Sequence, residues 1–268
     1  MHIAHLTDCH IVEPGERLAD RVDTAAALHA AVDHVLAMSP APDVVLATGD
    51  LVNDGRPAQY DQLAEILGRL PFPLFAVPGN HDDREGLRRV VPDLPDGADT
   101  EGRLDQVIDR YPVRLIGLDT TVPGEHGGRV TTSQMNWLDR VLSADPARPT
   151  LVFQHHPPFV TGIDWMDDVG LDGRELEAAT LAAHDHVVGV VCGHVHRAIT
   201  APFGGTVASC WPSTGAQVAL ALDGDRYRYV EEAAAVAVHR WHPDHGFVSH
   251  LSPVGPATTW RPAWATAS

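Results

Sequence analysis

Five times in this chain a short apolar run ends in a cluster of Asp, Asn, Gly and His. "HIAHLT" leads into Asp8, Cys9 and His10, and "DVVLAT" leads into Gly49 and Asp50. "PLFAVP" precedes Gly79, Asn80, His81 and Asp82; "TLVFQ" precedes His155 and His156; "VVGVVC" precedes Gly193, His194, Val195 and His196. Short apolar runs rich in β-branched residues and bounded by turn formers read as buried strands. Between them lie stretches with helical spacing. These are residues 20–38, opening with an Asp at the N-cap; "RPAQYDQLAEILGRL", with Pro57 in its first turn; "TTSQMNWLDRVLS", behind a Thr or Ser cap; and "GRELEAATLAAH". "VRLIGLDT" supplies a further strand. The β-α-β-α order predicts an α/β layered fold. In an open α/β sheet the carboxyl ends of strands face one crevice, so the five clusters are expected to meet at one site.

Counting donors gives that site a chemistry. Asp8, His10, Asp50, Asn80, His155, His194 and His196 all offer oxygen or imidazole nitrogen. Seven such ligands exceed what one four-coordinate zinc uses, but they suit two metals if one carboxylate bridges. Two-metal sites clamp the attacking and leaving oxygens of a phosphoryl displacement, so phosphoester hydrolysis is the expected reaction. Strand alternation places Asp8 and His10 on one face and turns Cys9 to the other, and by the same period His156 is not counted beside His155. Gly49, Gly79 and Gly193 are expected to make the sharp turns before the ligands.

Composition narrows the partners. With 36 acidic and 19 basic residues the chain carries a formal charge of −17. That argues against nucleic acid polymers and anionic membranes, both of which select basic surfaces. Cys9, Cys192 and Cys210 form neither a disulfide framework nor a thiolate zinc motif. No export signal precedes the first strand and no run approaches a membrane span, so a cytoplasmic setting is expected. After residue 199 the texture turns to short β-like pieces, expected to complete a second sheet and to carry a dimer contact. Residues 256–268 read as a mobile tail.

DxH, GDxxxD, GNHD, HH and GHxH, in this order, resemble the motifs of the calcineurin-like metallophosphoesterase superfamily. The longer stretches "NDGRPAQYDQL", "FAVPGNHDDREGLR", "LDTTVPGEHGG", "QHHPPF" and "CGHVHR" resemble class III bacterial cyclic-nucleotide phosphodiesterases and the related glycerophosphodiesterases. The resemblance implies a four-layer αββα sandwich of two mixed sheets over residues 1–255, with 199–255 β-rich. It implies that Asp8, His10 and His196 hold a first metal, that Asp50 bridges, and that Asn80, His155 and His194 hold a second. Manganese, iron or zinc would serve, and a metal-bridging hydroxide would be the nucleophile. His81, with Asn80, would act beside the leaving oxygen, and Asp82 would orient imidazoles. The implied substrate is a small phosphodiester, with 3′,5′-cyclic AMP hydrolysed to 5′-AMP as the first reading and a glycerophosphodiester as the alternative. A non-catalytic scaffold of the same fold is the remote alternative, and a homodimer or higher assembly is implied. Arg56 reads as a helix-start residue that could also meet phosphate. The acidic loop 164–175 reads as solvated or substrate-facing. His29, His34, His184, His186, His239, His242, His245 and His250 read as surface or core residues without paired geometry.

Overall fold

Consecutive residues of one buried strand pack into different layers, and that division builds the molecule. In the second strand Val44 and Leu46 join one apolar cluster while Val45 and Ala47 join another. Such a strand is covered on both faces, which explains why its sequence is continuously apolar rather than alternating. The computed structural model describes residues 1–91, 93–95, 102–262 and 264.

The first half runs β1 (His2–Leu6), α1 (Thr24–Leu36), β2 (Val44–Thr48), α2 (Pro57–Leu67), β3 (Leu74–Val77) and α3 (Arg84–Val90). It continues through β4 (Gln106–Ile108), β5 (Arg114–Leu118), β6 (Gly128–Arg129), α4 (Thr132–Ala144) and β7 (Thr150–Gln154). Next come α5 (Asp164–Asp167), β8 (Leu171–Asp172), α6 (Arg174–Ala182) and β9 (Val187–Cys192). Six strands end the chain: β10 (Ile199–Phe203), β11 (Thr206–Cys210), β12 (Gln217–Val218), β13 (Tyr229–Val230), β14 (Ala235–His242) and β15 (Gly246–Pro253).

Two mixed sheets result, ordered β15-β14-β1-β2-β3 and β10-β11-β9-β7-β5-β4. Strands β1, β2 and β3 are mutually parallel, as are β5, β7, β9 and β11. Ile3, Val44, Leu46 and Phe75 from one sheet meet Leu115, Leu151, Phe153 and Val191 from the other in a central layer. Leu28 and Val32 of α1, Leu63 and Ile66 of α2 and Leu87 of α3 cover the outer face of the first sheet. Met135, Leu138 and Leu142 of α4, with Leu181 of α6, cover the second. The layers are therefore α, β, β, α, as expected.

Three sequence expectations change. Helix α1 starts at Thr24 because residues 18–22 close a tight turn, with Ala19 and Asp20 at positive φ and Leu18 bridged to Val22. Its cap is Asp23, whose carboxylate accepts the Ala26 amide at 2.9 Å. The β-rich end does not complete one sheet: β10 and β11 extend the second sheet, while β14 and β15 extend the first. Helix α3 was hidden behind "GNHDD", since its seven residues are too few to show a period. Residues 256–262 and Trp264 form no strand or α-helix and are mostly exposed; the final four positions lie outside the described residues. No helix among the described residues is long and apolar enough to cross a membrane.

Candidate metal centre

The parallel strands of both sheets end on the same side, and the loops beyond β1, β2, β3, β7 and β9 carry the five polar clusters together. Asp50 lies between them. Its Oδ2 is 3.6 Å from His10 Nε2 and 3.4 Å from His155 Nε2, while its Oδ1 accepts the His81 amide at 2.9 Å. On one side of it, His10 Nε2 and His196 Nε2 are 3.2 Å apart, and Asp8 Oδ1 is 3.3 Å from His196 Nε2. On the other, His155 Nε2 lies 3.2 Å from both His194 Nδ1 and Asn80 Oδ1. All seven donors singled out in the sequence are thus brought together, in two groups that share Asp50.

The far nitrogens of the imidazoles show what the near ones can do. His155 Nδ1–H donates to the Thr48 carbonyl at 2.7 Å, His196 Nδ1–H to Ala216 at 2.6 Å, and His194 Nε2–H to Val169 at 3.0 Å. A carbonyl only accepts, so each bond puts a proton on the outer nitrogen and leaves the nitrogen facing the centre as the one available to a proton or a cation. Electron pairs converging at about 3 Å repel unless a proton or a cation lies among them. Metal-binding histidines are oriented by this same kind of outer hydrogen bond, so the donor set fits cations.

Electrostatics agree. Burial alone would raise the Asp50 carboxyl, but His155, His10 and His81 hold it well below the usual carboxylate range. Burial opposes ionisation of Asp8 too, yet His196 and then His155 hold its carboxyl below the ordinary value. Burial pushes His155 down, yet Asp50 and then Asp8 raise it to about 10. His10 is pushed down to about 4 by burial in spite of Asp50. His194 falls well below its ordinary value through burial and its neighbours His156 and His155.

The backbone is strained where the donors sit. Of eight non-glycine residues at positive φ among the described residues, five are Asp8, His10, Asp50, His194 and His196, at 45–72°. Left-handed backbone costs an L-residue about 1 kcal/mol. Short polar side chains adopt it more readily than others, and such outliers gather at functional sites. Asp8 and His10 therefore do not owe their common direction to strand alternation, because β1 ends at Leu6. Left-handed backbone at Asp8 and His10, on either side of Cys9, turns both inward, and Cys9 packs into the helix-side core. Burial pushes its thiol up to about 12, which keeps it an apolar filler rather than a thiolate.

The remaining sequence candidates resolve one by one. His156 stands close to His155 and His194, but its Nδ1 is held by the Thr120 hydroxyl at 2.8 Å and its Nε2 by the His126 carbonyl at 3.1 Å. Asp82 orients loops rather than imidazoles: its carboxylate accepts the amides of Leu51, Val52 and Gly79 and ties the β2 loop to the β3 loop. Gly79 admits this approach, since a Cβ there would stand 2.2 Å from Asp50 Oδ1. Arg56 occupies the α2 N-cap and reaches Glu13 at 3.8 Å. The acidic loop supplies a backbone group, the Val169 carbonyl, while Asp167 binds the amides of Thr161 and Gly162. Several histidines read as unpaired do pair: His242 stacks on His245, His184 meets His186, and His239 bonds to His5. His126, in "GEHGG", went unassigned in the sequence. It is exposed beside the centre, 3.4 Å from Asn80 Nδ2 and 6.0 Å ring to ring from His81. No local pattern distinguishes it, because only the fold brings that loop back to β3.

A family model described as calcineurin-like phosphoesterase matches residues 1–198. The chain belongs to this family. A protein of Arcobacter nitrofigilis named "Probable glycerophosphodiester phosphodiesterase" is 34% identical over 257 residues, covering 95% of this chain and 94% of its own. A 3′,5′-cyclic adenosine monophosphate phosphodiesterase of Pseudomonas aeruginosa is 33% identical over 218 residues, covering 81% and 77%. Among solved structures, a dimetal phosphatase from Danio rerio superposes with a TM-score of 0.70 at 17% identity, over 95% of this chain and 99% of its own, a likeness of fold. The chain is accordingly a metal-dependent phosphodiesterase of the calcineurin-like family.

Gly193 supplies a test of the local geometry. A Cβ there would lie 2.0 Å from Thr7 Oγ1 and 2.5 Å from Asp8 Oδ2. Gly193→Ala is expected to keep its circular dichroism spectrum while binding manganese at least about tenfold more weakly in titration calorimetry.

Proposed function

We propose that the chain hydrolyses small phosphodiesters at two metal ions. Asp8, His10 and His196 would hold one ion, Asn80, His155 and His194 the other, and Asp50 would bridge. The observation that carries this reading is the pair of donor groups sharing Asp50 Oδ2, with the imidazole nitrogens not bound to backbone carbonyls turned inward. Bound there, two cations would supply Lewis acidity at the phosphoryl oxygens and water acidified toward neutrality. The protein's own contribution is then orientation and proton transfer. His81 Nδ1–H is anchored to the Asn53 carbonyl at 2.7 Å, which leaves Nε2 free to carry a proton to the departing alkoxide. Asn80, whose amide nitrogen faces His126, can donate to a phosphoryl oxygen from the same side.

For the substrate, the first reading is cyclic AMP. A cavity of about 700 Å³ is lined by His10, His81 and His196 together with Leu18, Val22 and Tyr229, whose ring stands 6.2 Å from that of His196. An apolar wall with an aromatic ring suits a planar base better than a glycerol group. The second reading, a glycerophosphodiester, draws support from the greater share of this chain aligned with the Arcobacter relative.

Asp50→Ala is expected to lose both ions and all turnover, measured by metal analysis and hydrolysis of an aryl phosphodiester; a variant retaining both ions would remove Asp50 as the bridge. His81→Ala should keep its metal and lose about 10²-fold or more in kcat, least for substrates with good leaving groups. No turnover by manganese-loaded wild type would instead favour the non-catalytic scaffold. Side-by-side kcat/KM values separate the two substrates. Tyr229→Ala should reduce kcat/KM for cyclic AMP about tenfold while changing that for a glycerophosphodiester little. A large wild-type preference for the glycerophosphodiester, untouched by the substitution, would select the second reading.

A further inference from the structure

Behind Asp8 a line of buried hydrogen bonds runs through the layer between the two sheets to the outer edge of the first. Thr7 Oγ1–H donates to Asp8 Oδ2 at 2.7 Å, and Thr48 Oγ1–H donates to Thr7 Oγ1 at 2.8 Å. His5 Nε2 lies 2.7 Å from Thr48 Oγ1, and His5 Nδ1 lies 3.1 Å from His239 Nε2. His239 Nδ1 ends the line 2.8 Å from Ser249 Oγ on β15. Thr7, Thr48, His5 and His239 are each at most 1% exposed.

The direction of every proton in this line follows from its inner end. An ionised carboxylate can only accept, so Thr7 must donate to it, and each group then accepts from the next. His5 must carry its proton on Nε2 and accept at Nδ1; His239 must do the same; Ser249 must donate. Both imidazoles have to be neutral for this to hold. Burial pushes His5 down to about 3 and His239 well below its ordinary value, in agreement.

We propose that His5 and His239 are positioning residues for Asp8, locking through Thr48 and Thr7 the orientation in which its Oδ2 is anchored and its Oδ1 is presented to the metal centre. The proposal rests on the reading of Asp8 as a metal ligand. Geometry gives the reason for the lock. Asp8 Oδ2 receives the Thr7 hydroxyl and, with Oδ1, the His194 amide at 3.0 Å, while Oδ1 is the oxygen 3.3 Å from His196 Nε2. Thr7 has a competing acceptor, the Thr48 carbonyl at 3.3 Å. The Thr48 hydroxyl directed at Thr7 completes the run toward Asp8, and His5 Nε2–H is what directs it. Without His5 the Thr48 hydroxyl is free to rotate, Thr7 can turn to the carbonyl, and Asp8 loses a donor. His239 in turn holds the His5 tautomer, and is itself fixed by stacking on Phe247 at 5.3 Å and by the edge of Trp211 at 5.3 Å.

The test uses the full chain with His5→Leu, which removes the donor at similar volume, and His5→Gln, whose side-chain amide can donate to Thr48. Manganese binding by titration calorimetry, thermal midpoint, and kcat and KM on an aryl phosphodiester are measured together. For His5→Leu we expect one of two manganese sites to weaken about tenfold or more, with kcat reduced and KM little changed, and for His5→Gln recovery to near wild type. Wild-type manganese affinity in a folded His5→Leu chain overturns the proposal and leaves the pair as core filling. Failure of wild type itself to bind two manganese ions overturns the ligand reading instead, and with it the proposal. Should His5→Leu not fold, nitrogen NMR of the zinc-loaded wild-type protein decides: Nε2–H tautomers at both His5 and His239 near neutral pH support the line, and an Nδ1–H tautomer at His5 overturns it.

Discussion

The Asp50 carboxylate is buried between imidazoles from both sheets, and a charge removed from water in this way costs several kcal/mol unless opposite charge compensates it. Much of the surrounding structure follows from that need. His10 and His155 approach one of its oxygens from opposite sides, and the His81 amide takes the other. Gly49 before it sits at φ +86°, where a side chain would strike Gly79 and His155. The β2 and β3 loops are held together by Asp82, whose own carboxyl is pushed up to about 7 by burial and by Asp50, while three backbone amides pull it down. A second buried carboxyl so near the first holds its proton more tightly, and the three amides offset part of that cost.

A common device orients the centre. Three backbone carbonyls, from Thr48, Ala216 and Val169, each fix one imidazole. They come from three separate parts of the chain: the end of β2, the segment before β12, and the acidic loop between β7 and α6. The C-terminal segments therefore help to build the candidate centre. Ser213 donates to the Asp8 carbonyl at 2.7 Å, and Tyr229 of β13 walls the cavity. Removing this region would strip support from donors that lie two hundred residues earlier.

Rigidity behind the centre and openness in front of it divide the labour. Behind it, the line from Ser249 to Asp8 threads polar groups through an otherwise apolar layer, every one of them partnered. In front, the cavity is bounded by side chains of the 18–22 turn and of β13, with an Arg21–Glu231 ion pair of 2.8 Å at its rim, both members exposed. A pair so exposed contributes little to stability.

By itself the sequence determined the layered α/β class and the seven donors, because both are written locally. Continuous apolar runs report strands covered on two faces, and Asp, Asn and His at their ends report a crevice. The start of α2, with Pro57 as its first residue, and the Thr131 cap of α4 were legible for the same reason, although the start of α1 was not, since the 18–22 turn depends on a bridge rather than on a motif. Only the tertiary structure decided which nitrogen of each histidine faces inward, that Cys9 is excluded by the left-handed loop backbone of its neighbours rather than by strand period, and that β10 and β11 join one large sheet, β14 and β15 the other, while β12 and β13 pair apart. His126, Tyr229 and the His5–His239 pair likewise became visible only in three dimensions. The physical reason is the same in each case. A hydrogen bond or a cavity wall is a relation between residues far apart in the chain, and a linear pattern records what each residue can offer but not what stands opposite it.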